Sequence, residues 1–470
     1  MADVDENDTK SAPLSLRDED GEIRREFVAE VARAIEANDS DRLRTLAADL
    51  HQSDVGALLE ALAHDERPRL IELMGSDFDF AALTEVDDNV REDILDELPN
   101  ETVAEGVREL ENDDAVTILE YLDREDQVEI LDALPAVERV ALQRSLDYPE
   151  NSAGRLMQTT LLRSPPYWTA GQMLDHIHDE SDEELPDSFY EIFVVDPGHR
   201  LLGNVFLDRL VRAKRSARLD ELMDPDRRRV HVDEDQEEVA RFFERYNLIS
   251  APVVDDADRL MGVITIDDIV DVIREEAAED MGALGGVSAE EELSDTVWWT
   301  AKNRFLWLFV NLITAFMASS VIGMFEGQVQ KMVALAVLVP IVASQGGNAA
   351  TQTMTVAVRA LATRELSRAN AMRVVRRELF VGCINGLGFG LLTGLMAGAW
   401  FGLPSLGIVI ALAMLTNMVA GALGGILIPM VLDRLDADPA VSSGAFVTTV
   451  TDVVGNFSFL GIATLWFGLG

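Results

Sequence analysis

The chain has 470 residues, 48% hydrophobic and 26% charged, and its 84 acidic against 39 basic side chains give a formal net charge of −45. Residues 301–470 hold ten basic and seven acidic side chains, so the first 300 residues carry a net charge of −48. A body this negative repels phosphate backbones and concentrates cations, which excludes a nucleic-acid partner. Part of the acidity is also what a salt-adapted surface requires. The single cysteine, Cys383, cannot form an intrachain disulfide and reads as a small buried residue of an apolar run. All six histidines precede residue 300, so the apolar third has no HExxH and is not an intramembrane zinc protease. The polar, acidic opening MADVDENDTK is no secretory signal, and the N-terminal body is expected in the cytoplasm.

Residues 1–20 read as a disordered acidic tail and 21–150 as an all-α superhelical domain. Leu62, Met74, Val86, Leu98, Leu110, Leu122, Leu134 and Leu146 recur every twelve residues. Several are followed by Pro or an acid, as in LPNET and LENDD, so each unit holds a short helix and a turn. Residues 155–273 alternate strand-like and helical runs in two units, 155–217 and 218–273. VVDPGHRLLG at Val194 repeats as VVDDADRLMG at Val253, and each unit ends in a G-x-[V/I]-x-x-D step, Gly203 to Asp208 and Gly262 to Asp267. This α/β pattern resembles a tandem CBS pair, a module that senses nucleotides or ions and often dimerises. Many such pairs bind adenosine ribose through T-x-x-D, which Thr265 and Asp268 keep while the first unit has Phe206 and Arg209, so ATP is a candidate ligand of the second unit only.

Residues 274–300 read as a charged connecting helix with a glycine interruption. Trp298 and Trp299, then Lys302 and Arg304, mark a membrane interface. A five-helix transmembrane domain follows over 301–470, with apolar stretches near 305–325, 332–358, 379–402, 405–431 and 444–468, each long enough to span a lipid bilayer. Six arginines between Arg359 and Arg377 place that loop inside, so the N-terminus is cytoplasmic and the C-terminus outside a multi-pass inner (plasma) membrane protein. Gly382, Gly386, Gly390, Gly394, Gly398 and Gly402 form a packing stripe on the third span. The second span carries Gln345, Asn348, Gln352 and Thr355 on one face, and the fifth carries Thr448, Asp452 and Asn456. Asp452 reads as the only ionisable residue well inside any span, roughly 12 Å deep at 1.5 Å per residue from Gly444. Its carboxylate is either protonated and held by second-span amides or paired with a transported cation. No Lys, Arg or His of the core can balance it. One carboxylate among amides and hydroxyls is a hard-oxygen site, and two copies on a two-fold axis would balance a divalent ion such as Mg²⁺ through its waters.

The order of these parts, with VPIVASQGGNAATQT on the second span and DADPAVSSGAFVTTVTDVVG on the fifth, resembles the MgtE family of magnesium transporters over nearly the whole chain. The resemblance implies a homodimeric, Mg²⁺-selective channel-like pore lined by the second and fifth spans. It puts the pore aspartate at Asp452, the filter carbonyls near Gly347 and Thr448, and the second-span asparagine at Asn348. It also implies closure by cytosolic Mg²⁺ bound between the helical domain, the CBS pair and the connecting plug helix. The matching positions are Asp235, Glu237, Asp267, Asp271, Glu276, Glu279, Asp280 and Asp438, with Asp113 and Asp114 as further partners. Two departures stand out: Asn247 replaces an aspartate, and Gly444-Ala445 replaces an Asn-Pro pair. The competing readings are ion-coupled secondary transport of divalent cations and a nucleotide-sensing signalling protein with membrane anchors. No P-loop or other enzymatic motif is present, and the chain is expected not to be an enzyme.

Overall fold

The computed structural model describes residues 16–18, 21, 23–47, 50–179, 185–186, 188–225, 228–288, 291, 296–366, 369–435, 437 and 439–469, with backbone alone for 439–443. The chain divides into two compact units, 1–274 and 275–470.

The first unit begins with short helices, from Arg25–Glu36 to Ala136–Leu146, around a continuous apolar core. The twelve-residue leucines terminate the helices. Leu62, Leu98, Leu110 and Leu134 are the residues at which helices end, and they turn into extended backbone with their side chains packed in the core. Each of these repeats thus places one core-packed anchor at the end of its helix. Buried Arg91 ties the irregular segment beneath, donating to the carbonyls of Leu83, Thr84 and Val86 at 2.7, 3.0 and 2.9 Å. Leu16 is buried in the same core and Arg17 donates to Asp54 at 2.7 Å. Packed structure therefore starts ahead of residue 21, inside the stretch that composition assigned to the tail.

Two β-α-β-β-α units follow. In the first, β1 (Arg163–Ser164) pairs parallel with β2 (Glu191–Val195), which pairs antiparallel with β3 (Leu201–Phe206). The second repeats this with β4 (Val230–His231), β5 (Ser250–Val254) and β6 (Leu260–Thr265). The register repeats too: Val194 faces Gly203, Val253 faces Gly262, and each sheet is irregular one residue later. The two glycines are needed because a Cβ would strike the carbonyl of Asp224 in one unit and of Gln158 in the other. Phe193, Leu201, Val254 and Val263 join the units.

The last CBS helix runs without a break from Ile266 to Gly285, and the division at 274/275 falls within it. Gly286, at φ +72°, ends it. The connecting segment is therefore the continuation of a CBS helix, and Trp298 and Trp299 already belong to the first span.

Among the described residues, five helices are long and apolar enough to cross a membrane: Val297–Gly323, Ala334–Ala362, Ala371–Phe401, Pro404–Arg434 and Gly444–Phe467. The fourth is the hub. The glycine stripe of the third span packs on it, with Gly382, Gly386, Gly390 and Gly394 against Ala422, Leu415, Ala411 and Gly407. On its other side Gly421 and Gly425 meet the backbone carbonyls of Gly346 and Ala350 in the second span. Small residues permit this backbone proximity, which drives helix association where lipid leaves no hydrophobic gradient. The outward apolar side chains of the first and third spans, Phe305, Phe316, Leu387 and Leu395 among them, are exposed as a lipid-facing surface requires.

Candidate functional site

Chemistry collects in two places, one within each unit. In the membrane unit, Gln345, Asn348, Thr351, Gln352 and Thr355 of the second span line an open cleft of about 630 Å³. Asn385 and Phe389 of the third span and Met418 of the fourth complete it. The polar stripe expected on the second span is thus a real surface, joined by an amide from the third. Asn385 stands in GCINGLGFG, the one amide side chain among the glycines of the packing stripe.

Asp452 lies on the fifth span, one turn after Thr448, and is half-buried. Among the described residues it has no hydrogen bond and no ion pair. Gly347 faces this helix: a Cβ there would sit 3.9 Å from Thr451 Oγ1, the side chain preceding Asp452. The structure therefore brings Gly347 to the fifth span at Thr451, the residue before Asp452, whereas Asn348, a third of a helical turn on, opens into the cleft with the third span. Thr448 Oγ1 donates back to the carbonyls of Gly444 and Ala445 at 3.0 and 3.2 Å. Without the Asn-Pro pair, the helix runs unbroken from Pro439 through Gly444.

Asp452 is not alone among carboxylates on these helices. The third-span helix starts at Ala371, eight residues before the apolar stretch, and Glu378 on its first turns is 9% exposed and accepts from Thr353 Oγ1 at 3.4 Å. Hydropathy cut the span at its charges and so left this buried acid outside.

The end of the connecting helix packs on the second, fourth and fifth spans, with Ala283 and Leu284 against Ala350, Met354, Ile428 and Val447. Leu284 O lies 3.9 Å from where a Cβ of Gly444 would stand. Glu276, Glu279 and Asp280 occupy the preceding turns of that helix. Asp438 lies outside the described residues.

The second place lies within the first unit, 1–274. Asp113 and Asp114 open the helix Asn112–Glu120, where the helix dipole favours acids. Asp113 Oδ2 accepts from Gln158 Nε2 at 3.2 Å, and the Asp113 carboxyl shares a hydrogen bond with Asp268. Asp113 Oδ1 is enclosed and has no partner among the described residues. Burial, then the charges of Asp268, Asp114 and Glu111, holds the Asp113 carboxyl well above the usual range. Burial followed by Asp268 and Glu111 pushes Asp114 up to about 7, and burial pushes Asp268 up to about 6. Two carboxylates this close share a proton, since both cannot ionise at little cost.

Thr265 and Asp268 turn out to be a helix cap. Asp268 accepts from Thr265 N at 3.2 Å and Oγ1 at 2.9 Å, reaching back over the first turn of the helix that starts at Ile266. Thr265 borders a crevice between the CBS units of about 20 Å³, room for about one water. Adenosine would need this crevice to open. The other predicted ligands are dispersed. Asp235 caps the helix Gln236–Tyr246 through Glu237 N, Glu237 pairs with Arg241, and Asp271 pairs with Arg274 at 3.2 Å, while Asp267 is exposed. Asn247 ends the Gln236 helix at φ 49°, a left-handed position that Asn tolerates. Among the described residues no three His, Cys, Asp or Glu side chains converge on a metal-binding geometry.

The sequence pattern of the MgtE divalent cation transporter family matches residues 339–462, that of the MgtE intracellular N domain 50–151, and that of the CBS domain 219–275. The magnesium transporter MgtE of Enterococcus faecalis is 33% identical over 69% of this chain and 71% of its own length. That of Thermus thermophilus is 34% identical over 70% of this chain and 72% of its own. The chain belongs to the MgtE family. Among solved structures, the cytosolic domain of the Mg²⁺ channel MgtE in complex with ATP is 28% identical, covers 52% of this chain and 99% of its own, and superposes with a TM-score of 0.48. The MgtE match spans the second to fifth spans, including both the amide-lined cleft and Asp452. The CBS match covers the second unit, and the repeated sheet register extends the same fold to the first.

Proposed function

We propose that this protein carries Mg²⁺ across the cytoplasmic membrane through a pore that two copies build from their second and fifth spans. The observation that carries the reading is Asp452: a half-buried carboxylate on a membrane helix, with no cationic partner among the described residues, next in sequence to Thr451, which Gly347 of the second span faces. A charge at that depth costs on the order of 2.5–3.5 kcal/mol on insertion scales, and a passing cation offsets it. Mg²⁺ keeps its waters and prefers octahedral oxygen, which suits two carboxylates and a ring of carbonyls and amides better than direct ligation by one chain. The amide face of Gln345, Asn348 and Gln352 is poorly suited to lipid, and a second copy of the chain across a two-fold axis would cover it. The arginines between the second and third spans put the N-terminus inside and Gly470 outside.

The gate is the connecting helix. Its end packs at the foot of the fifth span next to Gly444, so its position controls the inner mouth. Cytosolic Mg²⁺ bound by the acids on and around this helix would replace repulsion with bridging and favour closure. At Asp113, Asp114 and Asp268 the ion would take the place of the shared proton. ATP bound at the Thr265–Asp268 cap would have to open the same region.

The test is Mg²⁺ flux into liposomes holding the purified full chain at fixed pH without sodium. Asp452→Asn should abolish flux while the protein still folds. Normal flux in that variant removes the pore assignment, and flux that requires a proton or sodium gradient in the wild type favours coupled transport instead.

A further inference from the structure

Asn417 lies in the middle of the fourth span and is completely buried. Its Nδ2 donates to the carbonyl of Val342 in the second span at 2.8 Å. Gly346 of the second span and Gly455 of the fifth both leave room for this amide: a Cβ at Gly346 would overlap Nδ2, and one at Gly455 would come within 2.5 Å of it. One side chain therefore sits against both helices of the proposed pore, at the residue before Gly347 and at the third residue after Asp452.

From this juxtaposition we infer that Asn417 is a positioning residue for the ion path, setting the spacing between the Gly347 backbone and Asp452 and with it the selectivity among divalent cations. The inference rests on the pore reading above. Asn417 coordinates no ion itself; it acts through the two helices it separates and ties. An asparagine is an expensive spacer in this seam. Met414, Met418, Phe459 and Leu338 fill the surrounding core, and Asn417 Oδ1 is enclosed with no partner among the described residues. An apolar side chain of similar volume would bury without a desolvation penalty, so packing alone does not account for the amide. Polar side chains do serve as general glue between membrane helices. Glue predicts an effect on stability, whereas a spacer predicts an effect on which ion passes.

The experiment uses the purified full chain in liposomes and reads Mg²⁺ half-saturation and the Mg²⁺/Co²⁺ flux ratio per folded protein, with thermal stability alongside. Asp452→Asn comes first, and its loss of flux establishes the path. Asn417→Leu should then raise the half-saturating Mg²⁺ at least threefold and change the flux ratio at least threefold. Gly455→Ala, which presses on the amide from the fifth span, should shift the ratio in the same direction, and in an Asn417→Ala background it should add nothing. This second comparison decides the matter should Asn417→Leu fail to fold. With Asp452→Asn inactive, an unchanged ratio and half-saturation in Asn417→Leu, whatever its stability, overturns the positioning role and leaves the pore reading standing. A Gly455→Ala effect of equal size in both backgrounds overturns it as well.

Discussion

Replacing Asp114 by Asn tests the electrostatics of the helical domain against the second CBS unit. The Asp114 carboxyl is raised from 3.8 to about 7 by burial and by the neighbouring acids. A group whose pKa rises on folding prefers to be protonated in the native state, so its contribution is neutral below the unfolded value, becomes unfavourable as pH climbs, and levels off above about 7. A shift of about 3 units amounts to about 4 kcal/mol at that plateau. The Asn amide, isosteric but still polar, gives back about 1–3 kcal/mol in burial, which leaves a net gain of about 2 kcal/mol. Native-state hydrogen exchange of the full chain in detergent, without divalent cations, reads this locally at the amides of the helices Asn112–Glu120 and Ile266–Gly285. At pH 8 the variant should exchange about thirtyfold more slowly than the wild type after correction for intrinsic rate; at pH 4, where the wild-type carboxyl is neutral, only the amide's burial cost of about 1–3 kcal/mol is left and the variant should exchange faster than the wild type. Equal protection at both pH values, or a variant less protected at pH 8, would refute the claim that these carboxylates repel one another across the junction.

Leu98→Ala should destabilise the helical domain by about 2–5 kcal/mol, the range for deleting a buried leucine, as read by the first thermal transition. Gly394→Leu should split the seam between the third and fourth spans, because its Cβ already meets the Gly407 carbonyl, and the yield of folded protein from membranes should fall severalfold. Neutralising Glu276, Glu279 and Asp280 together should keep Mg²⁺ flux high when millimolar Mg²⁺ is present on the cytosolic side; unchanged inhibition removes these acids from the gate.

What could be read in the sequence follows from the range of the interaction that each feature depends on. The twelve-residue leucines were legible because each ends its own helix, a local event repeated until it becomes a signal. The duplicated CBS register was legible because Gly203 and Gly262 answer the same steric demand in the same frame. The five spans were legible from hydropathy, which also explains what was missed. A hydropathy window stops at a charge, so the third span lost its first turns and Glu378 with them. The closeness of Asp113 to Asp268 joins residues from different domains, and nothing local marks it. Thr265 and Asp268 show a third kind of limit: T-x-x-D is the same string whether it binds a ribose or caps a helix, and the hydrogen bonds from Thr265 N and Oγ1 identify the cap.

The acidity of this chain therefore divides by what each carboxylate lacks. Among the described residues of the first unit many acids are exposed or paired with arginines, as Glu237 is with Arg241 and Asp255 with Arg259, and they need nothing further. Asp113, Asp114 and Asp268 lack a counter-charge and respond by holding protons, which makes them sensitive to any cation that can enter. Asp452 lacks one too: among the described residues no basic side chain pairs with it. Acids without a counter-charge thus stand in two separate places, one among the spans and one in the first unit, and at each the favourable occupant is a proton or a cation.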